Sequence, residues 1–176
     1  MIKMLTKCRG YTLFLFAALL LTSCEQPETW SSGDLRGVNH TRQEIPGFSV
    51  NGSIGPNIGS SGEKGGACCI SLPDKWRPGL KADIVWVVST TSDIINFPGY
   101  EDWEKYKAWE KKVIEGRVKH YTTVDIPDYG DRKCGLTVHF LPCNQIKVTA
   151  SCKTYGAAEY PIKEPREMEE PEQCPK

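Results

Sequence analysis

Residues 134–152, CGLTVHFLPCNQIKVTASC, constrain the fold more than any other stretch of the chain. Two runs alternate apolar and polar residues at the period of a half-buried strand, and Pro142-Cys143-Asn144 supplies the turn between them. Centring the pairing on Cys143 sets Leu136 opposite Ala150, Val138 opposite Val148 and Phe140 opposite Ile146. One face of the hairpin is then apolar throughout, as a defined register requires. The same register sets Cys134 opposite Cys152. Directly opposed residues of a non-hydrogen-bonded pair lie about 4.5 Å apart at Cα, within disulfide range. A hairpin of this kind must bury its apolar face against a further layer.

Other segments carry the same alternation. GFSVNG (47–52), CCISLP (68–73), GLKADIVWVVS (79–89) and RVKHYTTVDIP (117–127) read as strands, with His120 on the apolar side of the last. The glycine-rich SIGPNIGSSGEKGGA (53–67) reads as a long mobile loop. It is no phosphate loop, because Lys64 is followed by Gly65 rather than Ser or Thr. Between two strands the period changes. Tyr100, Trp103, Tyr106, Trp109 and Val113 recur at steps of three and four, one face of a helix. Glu101 and Asp102 at its start, Lys111 and Lys112 at its end and Gly116 beyond suit the helix dipole and a glycine stop. A face this large is expected to cover a sheet. Its rings, Trp103 and Tyr106 foremost, are otherwise candidates for contact with a partner.

The start of the chain speaks to compartment. Lys3, Lys7 and Arg9 precede the short apolar run Tyr11–Leu21, which describes a secretory leader and is too short to span a bilayer. Leu21-Thr22-Ser23-Cys24 resembles the lipobox of bacterial lipoproteins, in which cleavage precedes acylation of the cysteine. That resemblance implies a membrane anchor at Cys24. Glu25 in place of aspartate implies the periplasmic face of the outer membrane. Removing the leader leaves 19 basic against 22 acidic residues, a net charge of −3. That is no footprint for nucleic acid.

Six cysteines then remain: Cys68, Cys69, Cys134, Cys143, Cys152 and Cys174. In an oxidising compartment their default fate is to pair. Cys68 and Cys69 are expected to be structural, with at least one of them bridged to Cys143 or Cys174. A bond between adjacent cysteines would close a strained ring.

Reactive arrangements are missing. His40, His120 and His139 do not stand at metal-ligand spacing, and HExxH, GxSxG and Cys-x-x-Cys are absent. The expectation is a protein that is not an enzyme and uses no metal, cofactor or small-molecule substrate. Trp76-Arg77-Pro78-Gly79 forms a turn whose Trp-Arg pair suits a binding hot spot. It equally suits a local brace, with Arg77 stacked on Trp76.

One longer pattern joins these pieces. VNG (50–52), GGACCISLPDKWRPGLKADIVW (65–86), LTVHFLPC (136–143) and YPI (160–162) together resemble a family of small bacterial lipoproteins with a Cys-Cys, Leu-Pro, Trp-x-Pro-Gly-Leu signature. Members resemble the immunity partners of phospholipase effectors delivered by type VI secretion. The resemblance implies a periplasmic protein that binds such an effector and blocks it. The rival function is an assembly or structural lipoprotein of the envelope with no toxin partner.

The sequence thus predicts an α+β chain, mainly antiparallel β as a sheet or sandwich, with one amphipathic helix and disulfide bracing. Its parts are a leader (1–23), a lipidated tether (24–44), one globular β-rich domain (45–162) and a loose, acidic, proline-rich tail (163–176).

Overall fold

The computed structural model describes residues 27–89 and 96–175; the leader and Cys24 lie outside them. Eight strands, β1 (Trp30–Asn39), β2 (Glu44–Val50), β3 (Ser53–Ile54), β4 (Glu63–Pro73), β5 (Lys81–Ser89), β6 (Arg117–Asp125), β7 (Leu136–Leu141) and β8 (Gln145–Thr149), form two sheets. Sheet A has the order β4-β1-β7-β8 and sheet B the order β3-β2-β5-β6. All neighbours are antiparallel except β1 and β7, which run parallel. One helix, α1 (Trp103–Glu115), joins β5 to β6. The class is therefore α+β, mainly antiparallel β, as the alternation and the single helical period imply.

The sheets pack face to face. Phe140 of sheet A meets Phe48 and Trp86 of sheet B at ring-centroid distances of 5.2 and 6.1 Å. Leu35, Ile70, Leu136, Val138 and Val148 from one sheet and Val50, Ala82, Ile84 and Val88 from the other complete the core. The β7–β8 register pairs Val138 with Val148 and Phe140 with Ile146, the pairing that alternation predicts. Cys134 is bonded to Cys152 across it, 4.8 Å apart at Cα.

Four expectations need correction. Residues 30–39 are not tether but β1, an interior strand of sheet A. Its polar, glycine-rich composition hides it, yet the glycine is required: a Cβ at Gly37 would strike Ile58 and Phe48 in the core. That same Ile58, 2% exposed and bridged to Ile45, pins the glycine-rich segment 53–67, whose last residues already belong to β4. It is thus no free loop.

The cysteines pair differently as well. Cys68 is bonded to Cys69, and Cys143 to Cys174. β4, which carries Cys68 and Cys69, and β8, which follows Cys143, are opposite edges of sheet A. Two strands lie between them, so at ~4.8 Å per strand the gap exceeds the ~7 Å limit for a bridge.

Finally, residues 163–175 are not a loose tail. Tyr160 and Ile162 are buried, and the chain runs on as a strap over the outer face of sheet A. The Met168 N–H donates to the His40 carbonyl at 2.7 Å. Arg42 pairs with Glu167 and Glu169, Arg166 with Glu63, and Lys147 with Glu164. The Cys143–Cys174 bond fastens the far end.

Candidate functional site

α1 begins where the Asp102 carboxylate accepts from the Lys105 N–H, a side-chain cap, and ends at Gly116. The rings recur as the sequence predicts, but the helix does not lay them on a sheet. Of its residues only Val113 is buried. Trp103 is 56% exposed and Tyr106 and Trp109 are half-buried. Phe97 and Tyr100, on the segment leading into the helix, are 43% and 73% exposed.

These five rings pack mainly on one another. Trp103 stacks on Tyr106 at 5.3 Å and 15° between planes. Phe97 meets Tyr100 edge to face at 4.9 Å and Trp109 at 5.1 Å. Lys107 sits over the Trp103 ring. Burial of Tyr106, together with its hydrogen bond to Glu110, pushes its hydroxyl above the ordinary tyrosine value, so it stays a neutral donor. The result is an aromatic cluster, partly in water, on the helix that joins β5 to β6. Aromatic clusters that keep water contact on one side are what binding surfaces are made from.

Trp76 and Arg77 lie elsewhere. Trp76 is half-buried against the core, and its Nε1–H donates to the Ile126 carbonyl at 2.8 Å. Arg77 does not brace it; the guanidinium pairs instead with Glu28 at 2.9 Å. This turn precedes β5, whereas α1 follows it, so the length of a nine-residue strand separates them, roughly 27 Å. The structure brings Trp103 and Tyr106 together and leaves Trp76 and Arg77 at the opposite end.

Beneath the strap lies a second arrangement that sequence spacing does not reveal. His139 is wholly buried, as is His40, and Tyr160 nearly so. The Pro165 carbonyl can only accept, so His40 Nδ1 must donate to it, at 2.6 Å. His40 Nε2 then accepts from His139 Nδ1 at 2.8 Å, and His139 Nε2 accepts from the Tyr160 hydroxyl at 2.6 Å. Every proton in the chain is assigned and both rings are neutral. Burial depresses both histidines, His139 to about 3, with the neighbouring His40 charge adding to the effect. Burial pushes Tyr160 up to about 12. This relay is sealed and satisfied; what it does is hold the strap. The three residues are 99 and 21 positions apart, so no local motif announces them.

Near the β7–β8 turn Cys143, Glu170 and Cys174 converge, and the Cys143 N–H donates to Glu170. Because the two sulfurs are bonded to each other they offer a metal no thiolate. Among the described residues no helix is long and apolar enough to cross a membrane.

No curated protein and no solved structure matches the chain. One family model does match, over a span that takes in most of both sheets, the aromatic helix, His40 and His139, and stops short of the strap. That model is described as protein of unknown function (DUF3304) and covers residues 38–148, more than half of the chain, which therefore belongs to this family.

Proposed function

We propose that this protein is a lipid-anchored immunity protein of the periplasm, which binds a type VI secretion phospholipase effector through the aromatic face of α1 and neutralises it. The observation that carries the binding role is the outcrop of Phe97, Tyr100, Trp103, Tyr106 and Trp109, left half in water on a braced scaffold. Rings already packed on one another lose little freedom on docking, which favours tight binding. Tryptophan and tyrosine at the centre of an interface dominate its energy. The Cys-Cys to Trp-x-Pro-Gly-Leu signature, through its resemblance to immunity lipoproteins, supplies the partner's class. The lipobox supplies the place, since an inhibitor tethered at the membrane meets a lipid-cleaving enzyme at high effective concentration.

The test is capture of the product of the adjacent gene by the mature chain, coupled to a phospholipase assay. Stoichiometric binding with loss of lipase activity is expected. Trp103→Ala and Tyr106→Ala should each weaken binding at least ~tenfold, as truncated hot spots do. No binding, with no lipase encoded nearby, would overturn the proposal and favour an assembly role in the envelope.

A further inference from the structure

On the outer face of sheet A, where β1 and β4 meet the turn at residues 153–155, lies a cleft of about 190 Å³. Liquid water takes up ~30 Å³ per molecule, so the cleft has room for several waters or for one small polyatomic ion. Gly37, Val38, Thr137 and Tyr160 line it, with the start of β4 on one side and Lys153–Tyr155 on the other.

Arg36, Lys64 and Lys153 supply positive charge to its walls and Glu63 one carboxylate, while Arg166 stands over Tyr155 at 5.1 Å. Of these, Arg36 is paired with Asp34 and Arg166 with Glu63. Among the described residues the Lys64 ammonium has only a neutral partner, the Asn57 side-chain oxygen Oδ1 at 2.9 Å. Lys153 is exposed, and its ammonium has no partner among the described residues. Two cations are therefore left without a carboxylate.

The backbone is shaped around this cleft. The β1–β4 register shifts between Leu35 and Gly37, so that Gly65 and Gly66 together face Arg36. This is a bulge, a device that re-aims a side chain at a site. Gly66 holds φ +86°, and a Cβ at Gly65 would come within 2.9 Å of Arg36 Cγ. Glycine at 65 lets the arginine side chain lie across the strand. Thr137 and Thr154 complete the polar lining, and Tyr155, whose hydroxyl donates to the Glu164 carbonyl, adds its ring.

We infer that this cleft binds a phosphate group, free or as the ester of a small molecule or lipid headgroup, with Lys64, Lys153 and Arg36 as its cationic contacts. A tetrahedral oxyanion needs donors from several directions, which arginine, two lysines and hydroxyls on opposing walls provide. A carboxylate is matched by a planar pair of donors, and Arg36 gives Asp34 only one, from Nη2 at 3.0 Å.

The test titrates the isotopically labelled full chain with inorganic phosphate at constant ionic strength and follows backbone amide resonances. Saturable shifts are expected at Gly65, Gly66, Lys153 and Thr154. Lys153→Ala should weaken binding about tenfold, the loss of one charged contact, with the melting temperature unchanged. Lys119→Ala, exposed on sheet B, should leave binding as it was. A parallel titration with glycerol 3-phosphate separates the sources: tighter binding than inorganic phosphate identifies an ester, and equal binding the free ion. Shifts that do not saturate, or affinities equally reduced by Lys119→Ala, would overturn the site and leave general attraction of anions to lysines.

Discussion

His139 lies on the face of β7 that alternation marks as polar, yet it is wholly buried. Both statements hold because a strand's period fixes which face a side chain takes, whereas what covers that face is decided elsewhere in the chain. The neutral ring is kept there by having a donor and an acceptor in place, Tyr160 on one nitrogen and His40 on the other. Tyr160→Phe keeps the ring and removes that donor, leaving His139 Nε2 buried and unpaired. It should cost about 1–3 kcal/mol, read as a lower urea midpoint with an unchanged slope. An unaltered midpoint would mean that water replaces the hydroxyl.

Elements divide by how local their signals are. β5 to β8 and α1 were legible because each carries its own period over a run of residues. The hairpin register of β7 and β8 was legible for the same reason. β1 was not, since Ser31, Ser32, Gly33 and Asp34 read as a linker and Gly37 is chosen for a contact with Ile58 that lies far along the chain. α1 was placed correctly but its environment was not. Amphipathicity says that a face is apolar, and the structure leaves that face mostly to itself. This difference separates stability from binding. Trp103→Ala and Tyr106→Ala should each lower folding stability by only ~0.5–1.5 kcal/mol, the worth of the aromatic pairs they break. Trp86→Ala, which empties a core position 3% exposed, should cost ~3–5 kcal/mol. Chemical denaturation of the three variants checks the ranking. A large loss from Trp103→Ala would return the helix to the core.

At the scale of the molecule, sandwich and strap depend on one another through the relay and the Cys143–Cys174 bond. Exposed ion pairs such as Arg42 with Glu167 add little to this attachment, ~0–1 kcal/mol each. The relay makes it sensitive to acid. His40 and His139 are both depressed from the ordinary value of 6.5, so below about that pH the unfolded chain holds more protons than the folded one. Stability is therefore level above about pH 6.5 and falls as pH drops toward about 3, where His139 itself titrates. His139 contributes up to ~1.4 kcal/mol per pH unit in that window, and His40 acts in the same direction. Asp74, held low by its hydrogen bond to Lys133, and Glu164, held low by Lys147, lose their contributions only below their ordinary values of 3.8 and 4.5. The unfolding free energy, from denaturant titrations at about pH 7, 6 and 5, should fall across the last interval by at least ~1 kcal/mol, with faster exchange of the Met168 amide. A flat profile would show that the histidines are not buried as neutral rings.

The sequence by itself determined the class of the fold, the helix and its glycine stop, the β7–β8 register and the bridge that closes it. Each follows from neighbours within about twenty residues, where periodicity and turn chemistry decide. The interior place of β1, the pairing of Cys68 with Cys69 and of Cys143 with Cys174, the strap over His139 and the exposure of the aromatic helix were decided only in three dimensions. Each depends on which distant surfaces meet, and a side chain's polarity does not say what will cover it.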